Sequence, residues 1–392
     1  MSDAYIISGS RTPIGSFLGS LSTLTASELG SVAIAGAVER SGLTVNDFDE
    51  VIMGSVITGG QGQAPARQAA LKAGFPNTIP AVTINKVCGS GLKAVMFAAS
   101  AIRAGDARAI VAGGMECMSQ APHVAHGLRT GQKLGDVSMT DVMVKDGLWC
   151  AFEDCHMGMH AEHIAEKFNV TREDQDAFAL SSQQRAAKAM ADGNFAQEIV
   201  PVTVKHRKGE TIVEADECVR ADSTLEGLAK LRTVFDREGT VTAGNASTLS
   251  DGAAAVVVVD EETAAKSSGA FKVKVLAYHT SGTEPRDLFI APVAAVRGAV
   301  KKAGLTLDDI DLFEINEAFA SQMVACIRQL EIPDSKVNIF GGGISLGHPI
   351  GASGCRTLVT LIHALKKTGG KRGVTALCLG GGNAVAMAIE LL

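Results

Sequence analysis

The chain repeats itself. AGAVERSGLTVNDFDEVIMG, residues 35–54, aligns without a gap on RGAVKKAGLTLDDIDLFEIN, residues 297–316, at an offset of 262. Gly36/Gly298, Ala37/Ala299, Val38/Val300, Gly42/Gly304, Leu43/Leu305, Thr44/Thr306, Asp47/Asp309 and Asp49/Asp311 are identical. Each copy predicts a helix end, a glycine stop, a Leu-Thr turn with an acidic cap, then a strand. A second pair begins at Gly89 (GSGLKAVMFAASAIRAGDARAIVAGGME) and at Ala352 (ASGCRTLVTLIHALKKTGGKRGVTALCLGGGN), offset 263, with a four-residue insertion expected before the last strand. Both predict Ser-Gly, an amphipathic helix, a glycine turn, a strand and a glycine run. The runs AIVAG and VTALCLG lack alternation, as strands covered on both faces do.

A duplicated strand–helix pattern predicts an α/β fold of two similar halves with helices layered on mainly parallel or mixed sheets. The expected boundaries are 1–118 for the first half, closed by part of the region just before 251, and 251–392 for the second. Residues 119–250 have no partner in the repeat. They form an expected insertion of loops, helices and a short hairpin, the kind of segment that makes lids and binding loops.

The net charge of −6 and the absence of a basic stripe exclude a nucleic-acid-binding reading. No run of 18 apolar residues predicts a membrane span. The start, MSDAYIISGSRTPIGSF, predicts a first strand and turn in place of a signal peptide. Eight cysteines scattered through a long chain are expected as free thiols in a reducing, cytoplasmic compartment.

Four stretches can carry chemistry. Cys88, in NKVCGSGLKAV, lies between a predicted strand and a predicted helix. The free N–H groups there favour an anion, and about 2 kcal/mol would lower such a thiol to near neutrality. Cys88 is also readable as a small packing residue. His348, in GGGISLGHPIGASG, sits between Gly347 and Pro349, and a rigid loop suits a general base as well as a satisfied loop histidine. The loop lacks the Gly-Lys-Ser/Thr ending of a nucleotide-binding loop. Cys378 ends a predicted strand before a glycine run whose N–H groups can form an oxyanion hole. Asn316, in NEAFA, falls at a strand end, as a ligand-site residue or a helix cap. His156 and His160 are spaced four apart on a predicted helix, but no CxxC or HExxH accompanies them, and solvated or substrate-facing histidines fit better than zinc ligands.

Taken together and in this order, NKVCGSGLKAV, TAGNASTLSDGAAA, NEAFA, GGGISLGHPIGASG and CLGGGNAVAMAIEL closely resemble the blocks of the thiolase family, over essentially the whole chain. The resemblance implies two thiolase halves in a five-layer α/β/α/β/α core plus a loop domain that binds coenzyme A. It implies that Cys88 takes the acyl group as a thioester and that His348 activates it. Cys378 would move the α-proton, and Asn316 would hold a water in one oxyanion hole. The N–H groups of Cys88 and Gly380 would form the other. The implied reaction is a reversible Claisen condensation of two acetyl-CoA to acetoacetyl-CoA and CoA through an acetyl-cysteine, by an acyltransferase. No metal or redox cofactor is required, since the coenzyme A thioesters are the substrates.

The segment CHMGMHAEHIAEKFNVTREDQD resembles that of short-chain, acetoacetyl-CoA members. It implies that His156 and Met157 border the acyl pocket. Leu148, Arg220, Ser247, Ala318 and Phe319 would flank the pantetheine and nucleotide. Phe340, Thr248 and Asn383 depart from the residues common in biosynthetic members, so a broader or longer-chain 3-ketoacyl-CoA thiolase is the alternative. The family resemblance also implies a homotetramer with contacts near 120–145.

Overall fold

The two copies of the repeat begin alike because the same turn chemistry recurs. Gly42 closes the first helix with φ of 73° and Gly304 ends its counterpart with φ of 72°, a backbone region open to glycine. Two residues on, the N–H of Thr44 donates to Asp47 at 2.7 Å and that of Thr306 to Asp309 at 2.8 Å. Each cap hands the chain to a strand. In a computed structural model describing residues 3–392, the first half runs β1 (Ala4–Arg11), α1 (Ala26–Ser41), β2 (Glu50–Gly54), α2 (Pro65–Lys72), β3 (Ala81–Ile84), α3 (Ser90–Ala104) and β4 (Ala109–Cys117).

An insertion follows, containing α4 (Met157–Lys167), α5 (Arg172–Ala191) and three short hairpins. The chain then returns as β5 (Ser250–Asp260). The second half runs β6 (Val273–Gly282), α6 (Ala291–Lys302), β7 (Leu312–Ile315), α7 (Ala320–Leu330), α8 (Ser353–Thr368), β8 (Arg372–Leu379) and β9 (Asn383–Leu391).

The strands form one hydrogen-bonded path in the order β7-β8-β9-β6-β1-β5-β4-β2-β3, mixed in direction. The halves meet where β1 pairs with β6 at Tyr5↔Lys274 and Ile6↔Val273. Side chains alternate across each half. Ala254, Val256 and Val258 of β5 face inward with Val385, Met387 and Ile389 of β9, and α3 and α8 lie between them. Ala253, Ala255, Val257 and Val259 face outward onto α1 and α2. Ala384, Ala386 and Ala388 face outward onto α6 and α7. Five layers result, with α3 and α8 as the central one. The segment Val87–Ala104 is long and apolar enough by composition to cross a membrane, yet it is this central helix.

Two sequence expectations are corrected. The strand expected to open the second half at 251 belongs to the first: β5 lies between β1 and β4, with Asp251 opposite Cys117. It is the first half's equivalent of β9. Its apolar run has no alternation, so the sequence carries no sign of which sheet it joins. The expected four-residue insertion is absent: Ser353 follows Ser90 by 263 residues, and Arg372 follows Ala109 by 263. What differs between the halves is the connection between their last two strands. It is the whole insertion in one copy and Gly380–Gly382 in the other.

The insertion is docked on the core by a buried charge cluster. Arg11 of β1 donates from Nε to Glu198 at 2.8 Å and from its two terminal nitrogens to Asp216 at 2.6 and 2.9 Å. Both carboxylates are buried with it, so full pairing keeps that arginine from being prohibitive.

The central helices touch backbone to backbone at their first turns. A Cβ on Gly91 would stand 2.8 Å from the Cys355 nitrogen, and one on Gly354 would strike the Leu92 backbone. Gly354→Ala should therefore cost about 3 kcal/mol or more through overpacking. Chemical unfolding measures it, and a loss under about 1 kcal/mol would show that the helices separate easily.

Candidate active site

A tight strand-to-helix elbow presents Cys88. Val87 adopts φ of 48°, a conformation costly for a β-branched residue by about 1–3 kcal/mol. Local polar groups hold it there. Asn85 Oδ1 accepts the Val87 N–H at 2.9 Å, Ser90 Oγ accepts the Lys86 N–H at 2.8 Å, and the same hydroxyl donates to the Val87 carbonyl at 2.6 Å. Gly89 is small because a Cβ there would run into Leu379. The motif thus encodes the elbow as well as the thiol at its tip.

Cys88 opens into a cavity of about 660 Å³ that also reaches His348, Cys378 and Gly380. The backbone N–H groups of Cys88 and Gly380 face the sulfur and favour its anion, but burial outweighs them and pushes the thiol up to about 12. The expected easing of ionisation toward neutrality is therefore corrected. Helix-end donors are present, but in a pocket walled mainly by apolar side chains desolvation of the anion is the larger effect. Burial also holds the Cys378 thiol well above its ordinary value.

His348 is likewise neutral. Burial, aided by the Arg356 charge, lowers its pKa to about 3. Its Nδ1 lies 2.6 Å from Ser353 Oγ, and the Ser353 hydroxyl donates to the Pro349 carbonyl at 2.9 Å. With that proton committed, the serine oxygen accepts from Nδ1–H. The Nε2 lone pair is left as the basic position. The His348 N–H donates to the Thr248 carbonyl at 3.2 Å, tying the loop to the segment before β5.

Asn316, at the end of β7, is fully buried and does not line the cavity. It stands behind His348, with Nδ2 at 3.4 and 3.5 Å from the two ring nitrogens. Its Oδ1 finds no hydrogen-bond partner among the described residues.

Leu148, His156, Met157, Arg220, Ser247, Ala318 and Phe319 all line the same cavity. Each comes from the insertion, its return segment or the NEAFA block. His156 caps α4, accepting the Gly158 N–H on Nδ1 at 3.0 Å, and stacks on Phe235 at 4.6 Å. Arg220 is exposed at the rim. Of the departures, Thr248 is on the cavity wall, Phe340 packs edge-on against Phe195, and Asn383 Oδ1 accepts from Lys86 Nζ at 2.8 Å.

Sequence reasoning missed Met118, Phe235, Phe289 and Ile350, which complete the apolar wall. Isolated apolar residues in loops give no periodic signal, so nothing in the sequence marked them. His160 and His163 point elsewhere: His160 Nε2 lies 3.7 Å from Cys155 Sγ, and His163 Nε2 lies 2.9 Å from Asp287 Oδ1.

A buried carboxylate braces the site. Glu116, buried at the end of β4, accepts N–H groups from Val56 at 3.0 Å, Ile57 at 3.2 Å and Gly351 at 3.0 Å. Burial raises its pKa to about 7 against these bonds.

The chain matches known proteins over nearly its whole length. The family model for the thiolase N-terminal domain matches residues 4–262, and that for the C-terminal domain matches 270–391. "Acetyl-CoA acetyltransferase" of Paracoccus denitrificans is 50% identical over 390 residues, with 100% of each chain covered. The protein of the same name from Cupriavidus necator is 50% identical over 391 residues, again with 100% of each covered. The crystal structure of the Bacillus anthracis acetyl-CoA acetyltransferase superposes with a TM-score of 0.98 at 41% identity, covering 100% of this chain and 99% of that one.

Two outcomes check the electrostatics. At neutral pH the difference in ultraviolet absorbance between wild type and Cys88→Ser should contain no thiolate band. Alkylation of Cys88 should accelerate as pH climbs toward about 12, with no plateau near neutrality. Ser353→Ala should leave folding intact and slow turnover by roughly tenfold, the rate equivalent of one lost hydrogen bond of about 1.5 kcal/mol. An unchanged rate in Ser353→Ala would remove the tautomer assignment.

Proposed function

The chain belongs to the thiolase family, and from that premise we propose that it is an acetyl-CoA C-acetyltransferase, an enzyme that reversibly converts two acetyl-CoA to acetoacetyl-CoA and CoA. The observation that carries the proposal is the convergence of Cys88, His348, Cys378 and Gly380 on one cavity. The full-length relatives named for the acetyl reaction support the acetyl reading over a longer-chain one.

In the cleavage direction, Cys88 sulfur attacks the 3-keto carbon while its proton passes to His348 Nε2. The oxygen of the tetrahedral intermediate sits between the N–H groups of Cys88 and Gly380, each donor contributing about 3 kcal/mol. Collapse breaks the carbon–carbon bond and releases the acetyl-CoA enolate, whose oxygen lies on the His348–Asn316 side. Cys378, a neutral thiol, gives its proton to the enolate carbon. CoA thiol then attacks the acetyl-Cys88 carbonyl, its proton passing to the Cys378 thiolate, and Cys88 leaves and takes back the proton held on His348 Nε2.

Condensation is the same path reversed, so Cys378 becomes the group that takes the α-proton. Neutral resting groups suit this chemistry because charge then appears only where donors are already aimed. The substrates themselves are coenzyme A thioesters, and no step calls for a metal or redox cofactor.

The free state of all eight cysteines supports a reducing, cytoplasmic setting. Leu134 and Met139, exposed on the loops between 123 and 141, support a homotetramer with contacts in that region. Sedimentation should give four copies, and a monomer would remove that part of the proposal.

The deciding measurement is CoA-dependent cleavage of acetoacetyl-CoA by pure protein, and no turnover would overturn the reading. Mass spectrometry after incubation with acetyl-CoA should locate an acetyl group on Cys88. Cys88→Ser should abolish that label. Cys378→Ala should still take the label while condensation falls by about 10²- to 10⁴-fold. The opposite pattern would reverse the two cysteine roles.

A further inference from the structure

Two cysteines outside the reaction are paired by the backbone. The strands Trp149–Cys150 and Cys155–His156 form an antiparallel hairpin in which Trp149 faces His156 and Cys150 faces Cys155. Directly opposed residues of such a pair lie on one face, with Cα atoms about 4.5–5.5 Å apart. A disulfide spans Cα separations of about 4.4–6.8 Å, so this register accepts one without moving either strand. The turn is pre-formed as well: Asp154 adopts φ of 49°, and its carboxylate accepts from Trp149 Nε1 at 2.9 Å.

The neighbours supply an order of events. Cys155 is partly exposed and Cys150 is buried, so an external oxidant meets Cys155 first. His160 Nε2 stands 3.7 Å from Cys155 Sγ, and the Arg286 backbone hydrogen-bonds the same ring. Burial lowers the His160 pKa and raises that of Cys155, so the pair rests as neutral imidazole and thiol, with the ring nitrogen placed to receive the proton when the thiol reacts. Alternation along the hairpin keeps the pair off the substrate. His156 lines the cavity, and the cysteines next to it in the pleat lie on the other face, toward α4.

We propose that Cys150 and Cys155 are a modification site that takes up two-electron oxidation from a low-molecular-weight disulfide, such as oxidised glutathione, as a reversible intramolecular disulfide. Cys155 passes its proton to His160, and its thiolate attacks one sulfur of the reagent. A mixed disulfide forms and one reagent thiolate leaves. Cys150 then loses its proton and attacks the Cys155 sulfur, forming the bond across the hairpin and expelling the second reagent thiolate. The two protons end on the two released thiols. The two electrons lost by the cysteine pair are those that cleave the reagent's sulfur–sulfur bond. The product clamps the hairpin that carries His156 and follows Leu148, without entering the cavity.

Trp149, the chain's only tryptophan, reports the event, since it adjoins Cys150 in the chain and its indole is bonded to Asp154 in the turn that the disulfide closes. Incubation of the full-length protein with oxidised glutathione should remove two of the eight thiols. Non-reducing peptide mapping should give a fragment joining Cys150 to Cys155, tryptophan emission should fall, and dithiothreitol should reverse all three. Cys150→Ser should instead trap glutathione on Cys155, and Cys155→Ser should abolish the emission change. Wild-type mapping needs no variant, so a folding defect in either does not blunt the test. The proposal is overturned if Cys150 and Cys155 stay open to alkylation while other thiols oxidise, or if wild-type Cys155 keeps the glutathione unresolved.

Discussion

The contact on which the rest depends is the meeting of two helix starts at the centre of the molecule. Gly91 and Gly354, equivalent in the duplication, remove the Cβ atoms that would hold α3 and α8 apart. The same absence recurs one layer out, where a Cβ on Gly114 of β4 would overlap the Gly351 backbone. Because these chains touch, the loop before α3 and the loop before α8 open into one space, and Cys88 and His348 line one cavity. Glu116 spans the seam, accepting N–H groups from Val56 and Ile57 of one half and Gly351 of the other. A carboxylate shared in this way fixes the His348 loop relative to the Cys88 elbow more firmly than apolar packing alone, since each bond has a direction.

The cavity at that seam is walled mainly by apolar side chains, and desolvation there sets the charge state of the site. Cys88 has two aimed N–H donors and a helix start behind it, yet burial pushes the thiol up to about 12. His348 is driven the other way, to about 3. Both shifts favour the uncharged pair in the resting state. The arrangement behind His348 follows the same logic. Arg356 is buried near it, and Glu314 accepts from Arg356 at 2.9 Å, so that positive charge is paired. An imidazole between a buried cation and a neutral thiol has little reason to hold a proton until the substrate oxygen turns anionic.

Much of this was legible in the sequence because it was written twice. The Gly42/Gly304 stops and the Thr-Asp caps at 44–47 and 306–309 are local rules, and local rules survive without knowledge of the fold. The motifs around Cys88, His348 and Cys378 were equally plain, since each joins a reactive side chain to glycines that only a crowded turn needs. What stayed hidden depends on distant partners. From Ala253 to Val259 β5 is an unbroken apolar run, so its sequence cannot say whether it sits beside β4 or opens a new sheet. The ionisation of Cys88 turns on the burial of the cavity, where Phe235, Phe289 and Ile350 arrive from segments far apart in the chain. Asn316 was found by its block, but its position behind the histidine and not on the wall required the fold.

A duplicated frame does not by itself make a reactive site, because symmetry would supply two similar loops and no division of labour. The asymmetry enters at one equivalent point in each half, the link between the last two strands. In the second half that link is three glycines, short enough to hold the Gly380 N–H against the Cys88 sulfur. In the first it is the long insertion, which brings Leu148, His156, Met157 and Arg220 over the same cavity and is anchored by the buried Arg11–Glu198–Asp216 cluster. One half therefore contributes Cys88 and the cover, and the other contributes His348 and the Gly380 N–H. The equivalence of Cys88 and Gly351 in the repeat expresses the same division: the corner that carries a thiol in one copy must be a glycine in the other, because a Cβ at Gly351 would collide with the Glu116 carboxylate that holds the seam together.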